Sequence, residues 1–204
     1  MIGNSLSKAF VRAILAGMMI GVGGCVYLSC DVKWVGAILF AIGLFTIFSF
    51  RFDLYTGKVG YIPDNPLSTY LPYLVIVILG NFVGTLIVGL MMPLESAEVL
   101  ANVKLDNAEP LQVLFKGVLC GLLMFIAADS YKNTKSFLAT FLCVPVFILS
   151  GFEHSIADMF YFCSAGMFTL ESLTFILIVI LGNAIGGLLI PVCKRYIYDD
   201  EPTA

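Results

Sequence analysis

The chain has 204 residues, of which 60% are hydrophobic and 12% are charged, and its formal net charge at pH 7 is −3. Soluble domains carry about a quarter charged residues, so this composition excludes an ordinary soluble enzyme. The Lys and Arg residues form no basic block that could hold a polyanion, and no nucleic-acid partner is expected. The composition predicts an all-α integral membrane protein whose surroundings are the lipid bilayer.

Six apolar segments predict six transmembrane helices, because about 20 such residues cross a bilayer. They are Ala13–Cys30, Trp34–Phe50, Leu67–Leu94, Gly117–Ala128, Ser136–Phe152 and Ser172–Cys193. The fourth is long enough only if it begins near Leu111 and keeps Lys116 in its first turns. The second and fifth run into polar clusters at 51–58 and 150–158, so both are predicted to be broken helices. Irregular backbone at membrane depth needs protein or a water-lined cavity around it, which is typical of a transport site.

Three matches in the same order indicate an internal repeat. Residues 78–84 reappear as 180–186, residues 12–17 parallel 116–121, and Phe52-Asp53 parallels Phe152-Glu153. Each half holds three spans, an odd number, so the second half is predicted to enter the membrane inverted. The predicted organisation is one membrane domain with a first repeat at 1–94, an extracytoplasmic loop at 95–110, a second repeat at 111–196 and an acidic cytoplasmic tail at 197–204.

Positive residues in the short loops predict the orientation. With the N-terminus in the cytoplasm, only Lys33, Lys104 and Lys116 lie outside, and Arg51 lies near mid-depth and is not counted. Cytoplasmic loops carry the excess of Lys and Arg, so both termini are expected in the cytoplasm. The residues on that side are Lys8, Arg12, Lys58, Lys132, Lys135, Lys194 and Arg195.

The break in the fifth span holds His154, the single histidine, beside Glu153 and one turn before Asp158. Ionisable groups at this depth usually line a pathway, and histidine can exchange a proton near neutral pH. A buried neutral histidine bonded to backbone is the alternative. Glu153 has its repeat mate in Asp53, and such carboxylates either cap and pair structurally or handle substrate.

The break in the second span holds Thr56 and Lys58. The Thr56 hydroxyl can donate to an anion or to the histidine ring, and Lys58 either draws an anion toward the pore or pairs with a carboxylate. Arg51 and Lys58 are the nearest candidate partners for the two carboxylates. Apolar constrictions are predicted at the flanking residues, with packing as the alternative. These residues are Leu54, Tyr55 and Phe152.

Two asparagines, Asn81 and Asn183, follow glycine in the third and sixth spans. Each either bonds the broken loops and clamps neighbouring helices or faces the pore. We expect no metal site and no cofactor, because one histidine without suitably spaced cysteines cannot complete a common zinc sphere. No enzymatic nucleophile and base are recognisable.

These residues resemble the formate/nitrite transporter family, of which the chain would be a short member. The likeness rests on Ser150-Gly151-Phe152-Glu153-His154-Ser155-Ile156-Ala157-Asp158-Met159, Leu54-Tyr55-Thr56-Gly57-Lys58 and Gly182-Asn183-Ala184-Ile185-Gly186-Gly187. It implies an aquaporin-like channel in which Thr56 can hydrogen-bond His154 across the pore. It also implies a homopentamer whose protomers each have a pore. The chain departs from the family at Asp158, where Asn is common, and in the short piece after Lys58.

The residues and the resemblance together predict a channel-like transporter of small monovalent weak-acid anions such as formate or nitrite, linked to protons through His154. The alternatives are a pore for hydrosulfide or a neutral solute with the same fold, and a non-transporting membrane scaffold subunit. The expected location is the plasma (inner) membrane. A scaffold needs no irregular backbone at mid-depth, so the paired breaks favour transport.

Overall fold

The computed structural model describes residues 2–198, so the predicted acidic tail lies outside the described residues from position 199 onward. The described chain is helical throughout, with helices joined by short connections. In chain order the helices are α1 (Ile2–Ser29), α2 (Lys33–Phe50), α3 (Tyr55–Lys58), a 3₁₀ helix (Val59–Asp64), α4 (Leu67–Met91), α5 (Glu95–Asp106), α6 (Pro110–Thr134), α7 (Leu138–Leu149), α8 (Ser155–Ser164) and α9 (Leu170–Tyr198).

Five described helices are long and apolar enough to cross a membrane, namely α1, α2, α4, α6 and α9. They confirm five of the predicted spans. The fourth span begins at Pro110, as a full crossing requires, and encloses Lys116. The fifth predicted span is α7, a shorter apolar helix of 12 residues, and it is followed by a break and then α8.

The connector predicted as a loop at 95–110 contains helix α5. Glu95 and Glu98 lie in its first turn and Lys104 in its last turn, which complements the helix dipole. Ala97 and Ala101 are both buried and four residues apart, so they share one face of the helix. This face packs on the rest of the fold, since α5 contacts α8, α1 and α9. The connector is therefore a docked helix that can carry a side chain toward the interior.

Close pairing of α1 with α4 and of α6 with α9 organises the two halves. Small residues make the approach possible. A Cβ atom on Gly17 would meet the backbone of Asn81, and a Cβ atom on Gly121 would lie 2.7 Å from Cα of Asn183. The same contact thus recurs in both halves, as the predicted repeat requires. The inversion of the second half stays a prediction.

Gly121→Ala is expected to destabilise the protein by about 1–3 kcal/mol, because α6 and α9 must separate to admit the methyl group. Gly57→Ala is the matched control. Its Cβ atom would lie 3.7 Å from Cβ of Ala128, an ordinary contact, so it should unfold near the wild-type temperature. Thermal unfolding of both variants in detergent compares them, and equal melting temperatures would contradict the close packing.

Both predicted breaks close the preceding helix in the same way. After α2, Arg51 takes a left-handed conformation with φ of 58°, and the Phe52 N–H donates to Ile47 O at 2.9 Å. After α7, Gly151 has φ of 66°, and the Phe152 N–H donates to the carbonyl five residues earlier at 2.9 Å. This geometry is the Schellman helix ending. Arginine is an uncommon residue in this conformation, so the break in the second span is the more strained of the two.

Candidate functional site

Asn81 fixes the first break to two spans. Its Oδ1 accepts the Tyr55 N–H at 2.9 Å, and its Nδ2 donates to Ala13 O at 2.8 Å and to Asp53 O at 2.9 Å. The side chain is fully buried. One amide therefore joins α4, α1 and both ends of the break, and it satisfies backbone groups that the helix interruption leaves free.

Asn183 does the same for the second break. Its Oδ1 accepts the Ser155 N–H at 2.9 Å, and its Nδ2 donates to Gly117 O at 2.8 Å and to Glu153 O at 2.9 Å. Each of these three hydrogen bonds has its equivalent at Asn81, which supports the predicted internal repeat. Of the two roles that remained open for the asparagines, this geometry is that of the loop clamp, because backbone groups occupy the amide.

The breaks bring Thr56 and His154 together in the interior. Thr56 Oγ1 lies 3.0 Å from His154 Nε2, and both side chains are buried. His154 also caps α8, because its Nδ1 accepts the Ala157 N–H at 3.1 Å. A nitrogen that accepts carries no proton, so the neutral ring holds its proton on Nε2 and donates toward Thr56. Adding a second proton at Nδ1 requires the ring to release this cap.

Two cavities lie near this pair: His154 lines one, and Gly57, the residue after Thr56, lines the other. The first, of about 270 Å³, is named the basic cavity, since four cations are among its lining residues. Lys132 Nζ lies 4.1 Å from the ring centroid of Tyr61, which also lines the cavity. Its lining includes Arg51, Leu54, Lys58, Tyr61, Lys132 and Lys135. Arg51, predicted near mid-depth, thus lines the same cavity as three lysines of the predicted cytoplasmic side.

The second cavity, of about 140 Å³, is named the α5 cavity because Lys104 of α5 lines it. His154 belongs to its wall, and the ring of Phe147 stacks on the imidazole with centroids 5.5 Å apart. The lining includes Tyr27, Lys104, Phe152, His154, Asp158 and Tyr161. The histidine therefore lies between the second cavity and Thr56.

The three predicted constriction residues lie in different settings. Leu54 is buried and lines the basic cavity, and Phe152 lines the α5 cavity. Tyr55 is buried, and its hydroxyl donates to Ile180 O at 3.1 Å. Leu54 and Phe152 thus each line one of the two cavities, whereas the hydroxyl of Tyr55 anchors α3 to α9.

Cations from both sides hold Asp53. Arg12 Nε lies 2.7 Å from its Oδ2, and Lys58 Nζ lies 3.2 Å from its Oδ1. Lys58 was a predicted partner, but Arg12 of α1 takes the place predicted for Arg51. The reason is the helix ending: the left-handed turn at Arg51 directs this residue to the basic cavity. Two cations face one carboxylate here.

One lysine serves both carboxyl groups of the second break. Lys104 Nζ contacts Glu153 Oε2 and lies 3.0 Å from Asp158 Oδ1. All three side chains are largely buried. The prediction that Arg51 or Lys58 pairs with Glu153 is wrong, because α5 brings Lys104 from the connector. Burial lowers the pKa of Lys104, but the charges of Asp158 and Glu153 outweigh it and raise that pKa above its ordinary value.

Sequence reasoning missed Lys104 as a site residue, because a polar connector between two repeats is usually exposed. The signal was present: Ala97 and Ala101 lie at helical spacing, with Glu95 and Glu98 near the start of the segment and Lys104 near its end. Arg12 was missed for a similar reason, since it was counted only as a positive residue that sets the orientation.

A helical membrane protein in which two broken helices meet at a buried polar pair, with two cavities nearby, has the architecture of a channel or transporter. A family model described as formate/nitrite transporter matches residues 2–197. The chain belongs to the formate/nitrite transporter family.

Two curated relatives show this likeness. The chain is 31% identical over 176 residues to the nitrite transporter NirC of Salmonella typhimurium, a match that covers 72% of this chain and 64% of the relative. It is 28% identical over 191 residues to the formate channel FocA of Escherichia coli K12, covering 75% of this chain and 64% of the relative. The chain thus spans 64% of the length of these relatives.

Two solved structures share the fold. One, described as an FNT family ion channel, aligns with a TM-score of 0.85 at 25% identity over 96% of this chain and 91% of that chain. The other, described as a pentameric formate channel with formate bound, aligns with a TM-score of 0.79 at 23% identity over 97% of this chain and 99% of that chain. The aquaporin-like fold implied by the resemblance is therefore confirmed.

Proposed function

We propose that the chain is a channel-like transporter of small monovalent weak-acid anions, such as formate or nitrite. The observation that carries this proposal is the Thr56–His154 pair, 3.0 Å apart. His154 lines the cavity that Lys104 reaches, and Gly57, the residue after Thr56, lines the cavity that holds the cations. Cations raise the local concentration of anions, and the buried pair then replaces part of the lost hydration with hydroxyl and N–H groups. The family membership supports this substrate class.

Lys58, Lys132 and Lys135 would draw the anion into the basic cavity. At the centre, the His154 Nε2–H would donate to the anion in place of Thr56, and the Thr56 hydroxyl would then donate as well. Leu54 and Phe152 would exclude the hydrated ion on the two approaches. In this arrangement Glu153 and Asn183 hold the break in place. Asp158 lines the α5 cavity, and Lys104 balances the charge of Glu153 and Asp158 there.

We also propose that transport is linked to protons, with His154 as an obligatory part of the pathway. A monovalent anion crosses a low-dielectric region at a high cost, whereas its neutral acid does not. Uptake should therefore become faster as the external pH falls, since more of the acid form is present. We propose no enzymatic activity, in keeping with relatives that are named as transporters and channels.

The proposed assembly is a homopentamer in the plasma (inner) membrane, with both termini in the cytoplasm. The fold neighbour described as pentameric supports the subunit number. The apolar outer face supports a bilayer and subunit contacts, since large side chains such as Leu90, Met91 and Leu170 are exposed. The cations around the basic cavity support a cytoplasmic location for that side.

A second candidate is a pore for hydrosulfide or a neutral solute. It is favoured by the α5 cavity, where the single lysine is already shared by two carboxyl groups and offers little attraction to a free anion. The same liposome experiment separates both candidates from a scaffold that transports nothing.

The test is uptake into liposomes that contain purified protein, followed with a trapped pH dye for the acids and by light scattering for urea. Pulses of formate, nitrite, acetate, lactate, hydrosulfide and urea are compared with empty liposomes at several external pH values. Faster formate or nitrite uptake, increasing toward low pH, supports the proposal. Uptake of urea alone would support the neutral-solute pore, and rates equal to those of empty liposomes for every solute would overturn transport.

A further inference from the structure

The α5 cavity carries a charge imbalance. Glu153 and Asp158 share the single ammonium of Lys104, and their side chains are 7% and 1% exposed. The second carboxylate oxygen of Asp158, Oδ2, is buried and has no hydrogen-bond partner among the described residues. A buried carboxylate that lacks a compensating charge takes up a proton rather than remain ionised. With Lys104 charged, one of the two carboxyl groups is therefore ionised and the other is protonated.

The contacts favour Asp158 as the residue that carries this proton. Glu153 Oε2 makes the closer contact with Lys104, and Asp158 is the more buried of the two. Oδ1 of Asp158 accepts from Lys104 at 3.0 Å, which leaves Oδ2 as the site for an O–H group. Asp158 also lines the α5 cavity, so the proton is held at the wall of a space that reaches His154.

His154 cannot supply this proton in the observed geometry. Its Nδ1 accepts the Ala157 N–H, so the ring holds one proton, on Nε2. Giving up that proton would leave an imidazolate, which is far more basic than formate, nitrite or a similar weak-acid anion. A second proton would have to displace the Ala157 N–H. The ring is thus arranged as a hydrogen-bond donor, and the source of a transferable proton lies elsewhere.

We infer that Asp158 is the proton donor and acceptor of the pathway on the α5 side, an inference that rests on the proposed transport of weak-acid anions. The O–H bond at Asp158 Oδ2 breaks, and the proton joins a carboxylate oxygen of formate, or the anionic oxygen of nitrite, to give the neutral acid. The resulting Asp158 carboxylate is held by Lys104. A proton from water in the α5 cavity then restores the O–H group, and the steps run in reverse for export.

Other titratable groups around Asp158 set its surroundings. Lys104 comes from α5, and its ammonium also lies 5.8 Å from the ring centroid of Tyr161. Apart from Lys104, the groups that line the cavity or lie within electrostatic reach are Tyr27 from α1, Cys120 from α6, Glu153 and His154 from the break, and Tyr161 from α8. Lys104 is the one cation in this set, so the number of protons that the two carboxyl groups hold depends on it.

The experiment compares wild type, Asp158→Asn and the control Asp106→Asn in liposomes that contain a trapped pH dye. Formate is added outside, and its uptake and the proton signal are measured together. Asp106 is an exposed carboxyl residue at the end of α5, the helix that carries Lys104. Wild type and Asp106→Asn should move one proton with each formate. Asp158→Asn should slow formate uptake, and the uptake that remains should lose the accompanying proton and become sensitive to membrane potential. An unchanged proton signal in Asp158→Asn would overturn the inference.

Infrared difference spectroscopy of the purified proteins tests the same inference without transport. Wild type minus Asp158→Asn should show the carbonyl stretch of one protonated carboxylic acid. Wild type minus Asp106→Asn should show only an ionised carboxylate. Absence of the acid band from the first difference would overturn the assignment to Asp158. If wild-type liposomes transport no anion, the proposed function fails, and the infrared result still decides where the proton lies.

Discussion

Lys104→Met is expected to lower the stability of the folded protein by about 3–5 kcal/mol and to abolish formate uptake. Removing one member of a buried ionic cluster leaves its partners without compensation, and here the partners are two carboxyl groups, Glu153 and Asp158. Both must then be protonated or remain charged in the interior. The break before α8 would lose its connection to α5. Thermal unfolding in detergent and liposome uptake measure the two effects.

The control for this variant is Lys33→Met. Lys33 is an exposed lysine that donates to Cys30 O at 3.2 Å, and contacts of this kind contribute about 1 kcal/mol or less. The double variant Lys104→Met with Asp158→Asn should recover part of the loss, because it leaves one carboxyl group instead of two. If Lys104→Met unfolds at the same temperature as Lys33→Met, the role of Lys104 in the fold is contradicted.

Asn183→Leu is expected to be similarly damaging. Leucine has a similar branched shape but leaves the Ser155 N–H and the carbonyl groups of Gly117 and Glu153 without partners in the interior. Each such loss costs about 1–3 kcal/mol, so the total for the three groups is about 3–9 kcal/mol if the contributions add. The position of His154 depends on the same break, so uptake should fall together with stability.

Asn107→Leu is the matched control, since Asn107 is exposed and makes one side-chain bond, to Val103 O at 2.8 Å. Its melting temperature should remain close to that of wild type. The repeat provides a second comparison, because Asn81→Leu removes the equivalent three bonds at the first break and should cost a similar amount. A large difference between Asn81→Leu and Asn183→Leu would contradict the equivalence of the two halves.

The sequence was sufficient for features that depend on local pattern. The spans follow from uncharged length, and the breaks follow from the polar clusters around Gly57 and Gly151. The equivalence of Asn81 and Asn183 follows from a direct match of seven-residue segments. Each of these signals lies within one stretch of chain, so it survives without knowledge of the tertiary structure.

The pairing of charges could not be predicted in this way, because partners of buried charges come from distant segments. Arg12 reaches Asp53 across 41 residues, and Lys104 reaches Glu153 across 49. Arg51 is next but one to Asp53 in sequence, yet the left-handed helix ending directs it elsewhere. Proximity in sequence is therefore a poor guide to ion pairs at a helix break.

The charge pattern of the two halves has a functional consequence. Lys58 and Asp158 occupy equivalent positions in the repeat, four residues after Leu54 and His154 respectively. At the first break two cations face Asp53, and at the second break two carboxyl groups face Lys104. Under the proposed function, the side of the first break would attract the anion and the side of the second break would hold a proton, an asymmetry that proton-linked anion transport needs.

Formate uptake by liposomes containing wild type or His154→Phe tests the central claim most directly. Phenylalanine keeps a ring to stack on Phe147 but removes the Nε2–H donor and the Nδ1 cap of α8. The comparison is valid when His154→Phe is folded like wild type, as judged by its elution and its melting temperature. We expect rapid uptake by wild type and uptake at the level of empty liposomes by His154→Phe. Equal uptake by the two folded proteins would contradict a pathway through the Thr56–His154 pair.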